Sequence, residues 1–290
     1  MQTLRFGIDL GGSKIELIAL LTDAEIVKSG QHQTKRNDVL YQKRIETPKG
    51  DYFATVQAVT TLVLEAEAQL GQKGLVGIGI PGAVSYKTGR IKNANSTCLI
   101  GRDLQGDLQK ALSRPVRLAN DANCFALAEA TLGAAMDFDL VFGVILGTGI
   151  GGGIVINKKL YSGRTNIGGE WGHHTLHRNG NLCYCGKTGC VETYISGPSL
   201  ESHWTKLTGK SQHLPEILTS IDNENWQKWK NEFLENFGYG LANVIDILDP
   251  DAIVLGGGLS NIDFLYTEGK ESIYNQVFSD LIDTPILKNK

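Results

Sequence analysis

Four residues near the middle of the chain have the types and spacing to hold a metal. His173 lies ten residues before Cys183, Cys185 follows after one residue, and Cys190 comes after a turn containing Gly186 and Gly189. One imidazole nitrogen and three thiolates match the number and softness of ligand that tetrahedral Zn2+ favours. They leave no position for a catalytic water, so the metal is expected to be structural. The alternative is a disulfide or unpaired buried thiols. An intracellular chain rarely keeps disulfides, and three clustered cysteines out of five cannot all pair with one another, which favours zinc. Glu170 and Glu192 bracket this cluster; either could accept hydrogen bonds from a polyol or simply be solvated. Zinc sites contribute ~10–16 kcal/mol against a typical domain stability of ~5–15, so losing the ion would unfold at least this subregion.

A second chemistry is suggested by glycine turns. Gly11, Gly12, Ser13 and Lys14 separate two apolar runs, and Gly147, Thr148 and Gly149 separate two more, each set preceded by a Phe-Gly and an apolar strand. Hairpins of this kind can present backbone N–H groups to phosphate oxygens, with Ser13 and Thr148 as further donors. Asp9, beside the first turn, could hold water on the Mg2+ that accompanies a nucleotide. Two motifs mimic other sites. Gly147 to Gly152 fits GxGxxG, but Ile154-Val155-Ile156 continues as a strand, so the dinucleotide reading fails. Gly186-Lys187-Thr188 resembles the end of a Walker loop, yet Asn181 stands where the leading glycine belongs. Asn120-Asp121 opens an Ala-rich helical stretch, where the macrodipole favours a carboxylate; it is either a helix cap or a base that accepts a substrate hydroxyl proton.

The elements that must position these groups follow from periodicity. The two glycine hairpins, each near the start of one half, suggest a duplicated lobe. Asp51 is expected to cap a helix carrying Phe53, Val56, Val59, Leu62, Val63, Ala66 and Leu70 on one face. Val76 to Ile80 reads as a strand ending at Pro81-Gly82, and Asp121 to about Leu132 as a helix. Trp226, Trp229, Phe233, Phe237, Leu241, Ile245 and Leu248 mark a long helix whose aromatic stripe is core rather than a cofactor box. Residues 22 to 47 are polar and aperiodic, a hairpin or loop. The lobes are expected at 1–116 and 117–290, the second with the zinc site.

Composition bounds the function. The 290 residues, 41% apolar, can bury two substantial cores, and no run approaches a membrane span. With 28 Lys plus Arg against 31 Asp plus Glu, the chain has no general attraction to nucleic acid or anionic lipid; Lys35-Arg36 and Lys43-Arg44 read as solvated surface. Met1 to Arg5 shows no signal peptide, so the cytoplasm is the default.

Taken together these residues resemble the ROK family (repressors, open reading frames and sugar kinases), most closely its bacterial fructokinase and mannokinase branch. The resemblance rests on Asp9 to Lys14, Gly79 to Gly82, Lys92 to Thr97, Leu118 to Asn123, Gly147 to Gly153, Glu170 to His173, the three cysteines and Leu248 to Gly258. It implies an α/β fold of the two-lobed, actin-like (ribonuclease H-like) ATPase type, with a duplicated glycine-hairpin lobe and an interdomain cleft. Asp121 would be the catalytic base, with Gly82, Asn95, Asn120, Glu170, His173 and Glu192 around a hexose, and His173 serving both sugar and zinc. ATP and Mg2+ would lie against the glycine turns, with Gly256, Gly257 and Gly258 near the adenosine. The expected reaction is transfer of the γ-phosphate to the 6-hydroxyl of fructose, with mannose or glucose as alternatives, and the expected assembly is a homodimer. A sugar-responsive repressor or a non-catalytic sugar sensor are the competing readings; only five residues precede Phe6, where repressors carry a DNA-binding domain. Two departures stand out: Ser13 replaces a frequent Thr, and the sequence closes at Asn289-Lys290 where relatives commonly continue into a Gly/Ala-rich helix.

Overall fold

In the computed structural model, residues 2–23 and 39–290 are described; Lys35-Arg36 and most of the aperiodic stretch lie outside them. The chain divides into two compact units. One comprises residues 1–124 with 162–168, the other residues 125–161 with 169–290.

The first unit is built on strands β1 (Gln2–Leu10), β2 (Lys14–Asp23), β3 (Val39–Glu46), β4 (Leu75–Ile80) and β7 (Val116–Asn120), in the order β3-β2-β1-β4-β7. The first three strands run antiparallel; β4 and β7 run parallel to β1 and to each other. Alternation explains β1: Leu4, Phe6, Ile8 and Leu10 point to one face and are buried. A small ribbon, β5 (Ala83–Val84) with β6 (Ile91–Lys92), lies between β4 and β7 in sequence. The strand β7, which the sequence division groups with the second lobe, pairs with β4 here.

Helix α1 (Tyr52–Leu70) begins where the sequence places it: Asp51 accepts a hydrogen bond from the Ala54 N–H at 3.0 Å. Val59, Leu62, Val63 and Ala66 pack into the core, but Phe53 does not and is 72% exposed. Tyr52 takes the inward place in that first turn, its hydroxyl donating to Asp107 at 2.6 Å, while the Arg102 guanidinium lies over both rings. Tyrosine can fill an apolar site and still satisfy its hydroxyl, which rotates Phe53 outward. Helix α2 (Leu104–Leu112) is capped by Asp103 and buries Leu104, Leu108 and Leu112.

The second unit repeats the plan. Strands β8 (Leu140–Leu146), β9 (Ile150–Ile156), β10 (Lys159–Leu160), β11 (Ala252–Gly256) and β12 (Ile286–Lys288) lie in the order β10-β9-β8-β11-β12. Again the first three are antiparallel, and the last two are parallel additions beside the first. Counted within each five-stranded sheet, both run third, second, first, fourth, fifth. Helix α3 (Asp121–Thr131) begins in the first unit and passes into the second at Phe125.

The second sheet is covered by α4 (Glu192–Ile195), α5 (Gly197–Thr208), α6 (Leu214–Thr219), α7 (Trp226–Leu248) and α8 (Glu268–Tyr274). The aromatic stripe of α7 is core: Trp229, Phe233, Phe237, Leu241 and Ile245 are buried together with Trp204, whose ring meets Trp229 edge-on at 6.1 Å. The helix stops at Asp249, which takes a left-handed conformation ahead of Pro250.

Candidate functional site

In the first unit, the turn between β1 and β2 carries Gly11, Gly12, Ser13 and Lys14. The Gly11 N–H donates to Lys14 O at 3.0 Å, closing the turn, while Thr47 anchors it from the end of β3: its N–H donates to Ser13 O at 3.0 Å and its hydroxyl to Gly11 O at 2.8 Å. Gly11 and Gly12 share a cavity of about 240 Å3 with Asn95, Ser96 and Thr47. A glycine-turn residue and a candidate sugar contact thus face one space. Thr47 was not singled out by sequence, because nothing in its aperiodic surroundings marks it.

Asp9 closes β1 beside this turn. It sits opposite Glu16 on β2, which pairs with Arg44 on β3, so three charges follow one another across the sheet. Desolvation and the Glu16 charge raise the Asp9 carboxyl above the usual aspartate value, with Arg44 acting in the other direction. Arg44 and Gln42 hold the Glu16 carboxyl below the usual range. On its other side Asp9 pairs with Gly79 of β4. A Cβ added at Gly79 would stand 3.8 Å from the Asp121 Cα, so β4 carries the start of α3 at van der Waals range.

Asn120 and Asp121 take different places at the start of α3. Asn120 is the cap: its Oδ1 accepts from the Asn123 N–H at 3.2 Å, and its Nδ2 donates to Gly82 O at 3.0 Å. Asp121 is the first residue of α3, its carboxylate accepting from the Ala122 N–H at 2.8 Å and its side chain exposed. The carboxylate therefore stands at the positive end of the helix, where ionisation is favoured. Gly82 has φ +77, and a Cβ there would stand 2.5 Å from Lys92 O and 2.8 Å from Ala94 N. Only glycine lets β4 end so close to the segment that presents Asn95.

In the second unit, the turn between β8 and β9 holds Gly147, Thr148 and Gly149. Gly147 N donates to Gly149 O at 3.0 Å, and Gly147 O accepts from Gly197 N at 2.9 Å. The Glu192 carboxylate accepts from the Ile150 N–H at 2.8 Å, just past the turn, so Glu192 is not merely solvated. Gly257 lies against the Leu146 carbonyl and Gly256 against the Phe125 ring, whereas Gly258 faces open space.

The glycine run 151–153 has a different task from the turn before it. Trp171 packs edge-on to Phe142 at 6.0 Å and donates its indole N–H to Gly151 O at 2.9 Å. A Cβ on Gly152 would stand 2.6 Å from the Trp171 ring. These glycines make a flat seat for the turn Trp171–His173, which Glu170 precedes. The GxGxxG resemblance arises from a turn followed by a packing platform.

His173, Cys183, Cys185 and Cys190 converge, their ligand atoms all within 4.8 Å of one another. His173 Nδ1 lies 3.5 Å from Cys183 Sγ, and Cys185 Sγ lies 3.7 Å from Cys190 Sγ. Zinc bonds of about 2.3 Å to sulfur and about 2.0 Å to nitrogen, at tetrahedral angles, require edges of about 3.8 and about 3.5 Å; these two separations match, and a donor set gathered within 4.8 Å is of the right kind and number to take the ion. Desolvation pushes the Cys183 and Cys190 thiols up; a bound dication reverses that preference and holds them as thiolates. The false Walker lysine has a local role, Lys187 Nζ donating to His173 O.

Two sheets of identical strand order, each opening on a glycine-turn hairpin and the second carrying a Cys/His cluster, define the actin-like ATPase fold in the form used by a family of sugar-handling proteins. The chain belongs to the ROK family, whose model matches residues 5–290. It is 38% identical over 275 residues to the N-acetyl-D-glucosamine kinase of Escherichia fergusonii, covering 91% of this chain and 86% of that one. Among proteins of known structure, the ROK hexokinase from Thermus thermophilus matches with a TM-score of 0.83 and 30% identity over 100% of this chain and 93% of its own. A ROK glucokinase from Streptomyces griseus, in complex with glucose and AMPPNP, matches at 0.77 and 26%, covering 100% and 94%. No helix among the described residues is long and apolar enough to cross a membrane.

Proposed function

We propose that this protein is an ATP-dependent sugar kinase that transfers the γ-phosphate to a hydroxyl of a hexose or N-acetylhexosamine. The observation that carries the reading is kinship with N-acetyl-D-glucosamine kinases across 91% of the chain. That kinship also favours N-acetylglucosamine as acceptor over the fructose expected from sequence, and the glucokinase relative seen with glucose and AMPPNP supports the pairing of hexose with adenine nucleotide.

In this reading Asp121 is the base. Its exposed carboxylate at the start of α3 accepts the proton of the acceptor hydroxyl as that oxygen attacks the γ-phosphorus, and ADP leaves. Phosphoryl transfer asks little covalent work of a protein, so one positioned carboxylate suffices. Asn120 fixes that position by capping the helix and holding Gly82. Gly82, Asn95, Asn120, Glu170, His173 and Glu192 are the proposed sugar contacts. The turns at Gly11–Lys14 and Gly147–Gly149 offer backbone N–H groups to the phosphates, and Gly256–Gly258 is proposed to lie near the adenosine. Asp9 would hold the Mg2+ that shields the phosphate charge. His173, Cys183, Cys185 and Cys190 would hold zinc, which fixes the fold of their loop.

The test is Asp121→Asn. The substitution keeps the shape and removes the base, so sugar binding by calorimetry should stay within about threefold while turnover falls by about 10²–10⁴, the range for general base catalysis. Near-normal turnover removes Asp121 from the reaction.

A further inference from the structure

The cavity of about 240 Å3 in the first unit is lined by Gly11 and Gly12 of the glycine turn, by Asn95 and Ser96, and by the segment that follows β3. Lys49, in that segment, is the only charged residue among the described residues that line it. No described carboxylate pairs with Lys49, whereas the cations just before it on β3 are committed, Lys43 to Glu65 and Arg44 to Glu16. The backbone that carries Lys49 is held in place. Thr47 is tied to the turn through Ser13 O and Gly11 O. Pro48 O accepts from the Asp51 N–H and from the Thr55 hydroxyl at the start of α1, each at 3.4 Å. Lys49 therefore stands at a fixed place beside the turn, with its side chain exposed.

We propose that Lys49 is a catalytic residue of phosphoryl transfer: its ammonium group donates hydrogen bonds to the non-bridging oxygens of the γ-phosphoryl group as that group passes from ATP to the sugar.

The role rests on the kinase reading and adds a cation to it. Gly11 and Gly12 are the proposed phosphate contacts and Asn95 a proposed sugar contact, and they share one cavity with Lys49. Of the three phosphates only the γ group must approach the sugar, so a cation lining this space is placed for that group. During transfer the acceptor oxygen bonds to the γ-phosphorus, its proton goes to Asp121, and the bond from the γ-phosphorus to the bridging oxygen breaks as ADP leaves. Charge is spread over the three non-bridging oxygens meanwhile, and fixed donors and cations aimed at them stabilise the transition state. The backbone N–H groups of the turn offer dipoles without net charge; Lys49 supplies the charge. A lysine carries three rotatable donors on a flexible stem, which lets it follow a group in motion. Lys43 and Arg44 would first have to give up their carboxylates.

The test is Lys49→Met, which keeps an unbranched apolar stem and removes the ammonium. Lys73→Met makes the same change of charge beyond the far end of α1, whose 19 residues span about 28 Å. Variants matched to wild type in circular dichroism are assayed for sugar-dependent ADP release, and ADP affinity is measured by calorimetry. Lys49→Met is expected to lower kcat about 10- to 100-fold, less than the 10²–10³ for a fully enclosed donor because Lys49 is exposed. Its sugar KM and ADP affinity should be unchanged, since neither the sugar nor ADP contains the transferred group. Lys49→Arg, which keeps the charge, should recover turnover at least in part, and Lys73→Met should behave as wild type. An unchanged kcat for Lys49→Met overturns the role while leaving the kinase reading intact. Weakened ADP binding with unchanged kcat places Lys49 on the nucleotide that remains and also overturns it, as does an equal loss in Lys73→Met. Wild-type protein that releases no ADP with any sugar overturns the kinase reading and the role together.

Discussion

Replacing Gly82 with alanine tests how the first unit presents its candidate sugar contacts, and Gly89 provides an internal control. Both glycines have positive φ, +77 and +69; Gly82 precedes the β5–β6 ribbon and Gly89 lies in its turn. They differ in their surroundings. A Cβ at Gly89 meets nothing within 4 Å, whereas one at Gly82 would stand 2.5 Å from Lys92 O, 2.8 Å from Ala94 N and 2.9 Å from Ala94 Cα. An L-residue in the left-handed region costs roughly 1–2 kcal/mol, and this applies at both positions. Overpacking against backbone, which cannot rotate away as a side chain can, adds typically 1–3 kcal/mol at Gly82 alone. The expected destabilisation is therefore about 2–5 kcal/mol for Gly82→Ala against about 1–2 for Gly89→Ala. Urea unfolding measures both, provided the slope m is unchanged. Because residues 92–95 must move to admit the methyl group, Gly82→Ala should also raise the sugar KM in protein that remains folded, while Gly89→Ala should not. Equal destabilisation by the two substitutions would falsify the close-approach argument.

Further outcomes follow from the same structure. Glu192→Ala leaves the buried Ile150 N–H without its partner and should cost about 1–3 kcal/mol in urea unfolding, whereas Glu192→Gln, which keeps an acceptor oxygen, should cost less than half as much; equal losses would show that the bond is not what matters. The raised Asp9 carboxyl favours its protonated form when folded, so its contribution to stability is present below the ordinary value of 3.8 and is lost as pH rises through the raised value. Asp9→Asn should accordingly be more stable than wild type at neutral pH, with the advantage vanishing in acid; a constant difference across pH would contradict this origin. Removing zinc should expose the cysteine loop, and trypsin should then cut at Arg178 and Lys187 while the first unit stays resistant; unchanged cleavage after verified metal removal would dismiss a structural role.

What the sequence made legible were features whose chemistry is local. The convergence of His173, Cys183, Cys185 and Cys190 could be read because few other tasks need that combination at that spacing, and their side-chain donor atoms do come together. The repeated Phe-Gly, strand and glycine turn gave the duplicated plan, since each hairpin is contiguous in sequence. The long helix was legible from the spacing of Trp229, Phe233, Phe237, Leu241 and Ile245, all of them buried.

The unread features depend on partners distant in the chain. Gly151 to Gly153 completed a GxGxxG match in sequence, because nothing nearby announces that Trp171 will lie on them. Thr47 is marked only by what it reaches, the carbonyl of Gly11 thirty-six residues earlier. Phe53 obeys the helical period yet is exposed, because Tyr52 competes for the same place and wins through its bond to Asp107. In Asn120-Asp121 the local pattern could not say which residue caps the helix; the Asn120 side chain does so, and its second bond, to Gly82, reaches thirty-eight residues away.

The central claim, ATP-dependent phosphorylation of a sugar, is tested most directly by measuring ADP release from ATP and Mg2+ with N-acetylglucosamine, fructose, mannose, glucose or no sugar. The account predicts release that requires sugar and is fastest with N-acetylglucosamine, accompanied by the phosphorylated sugar in the mass spectrum. Absence of ADP with every sugar, from zinc-loaded protein that demonstrably binds one of them, would contradict it.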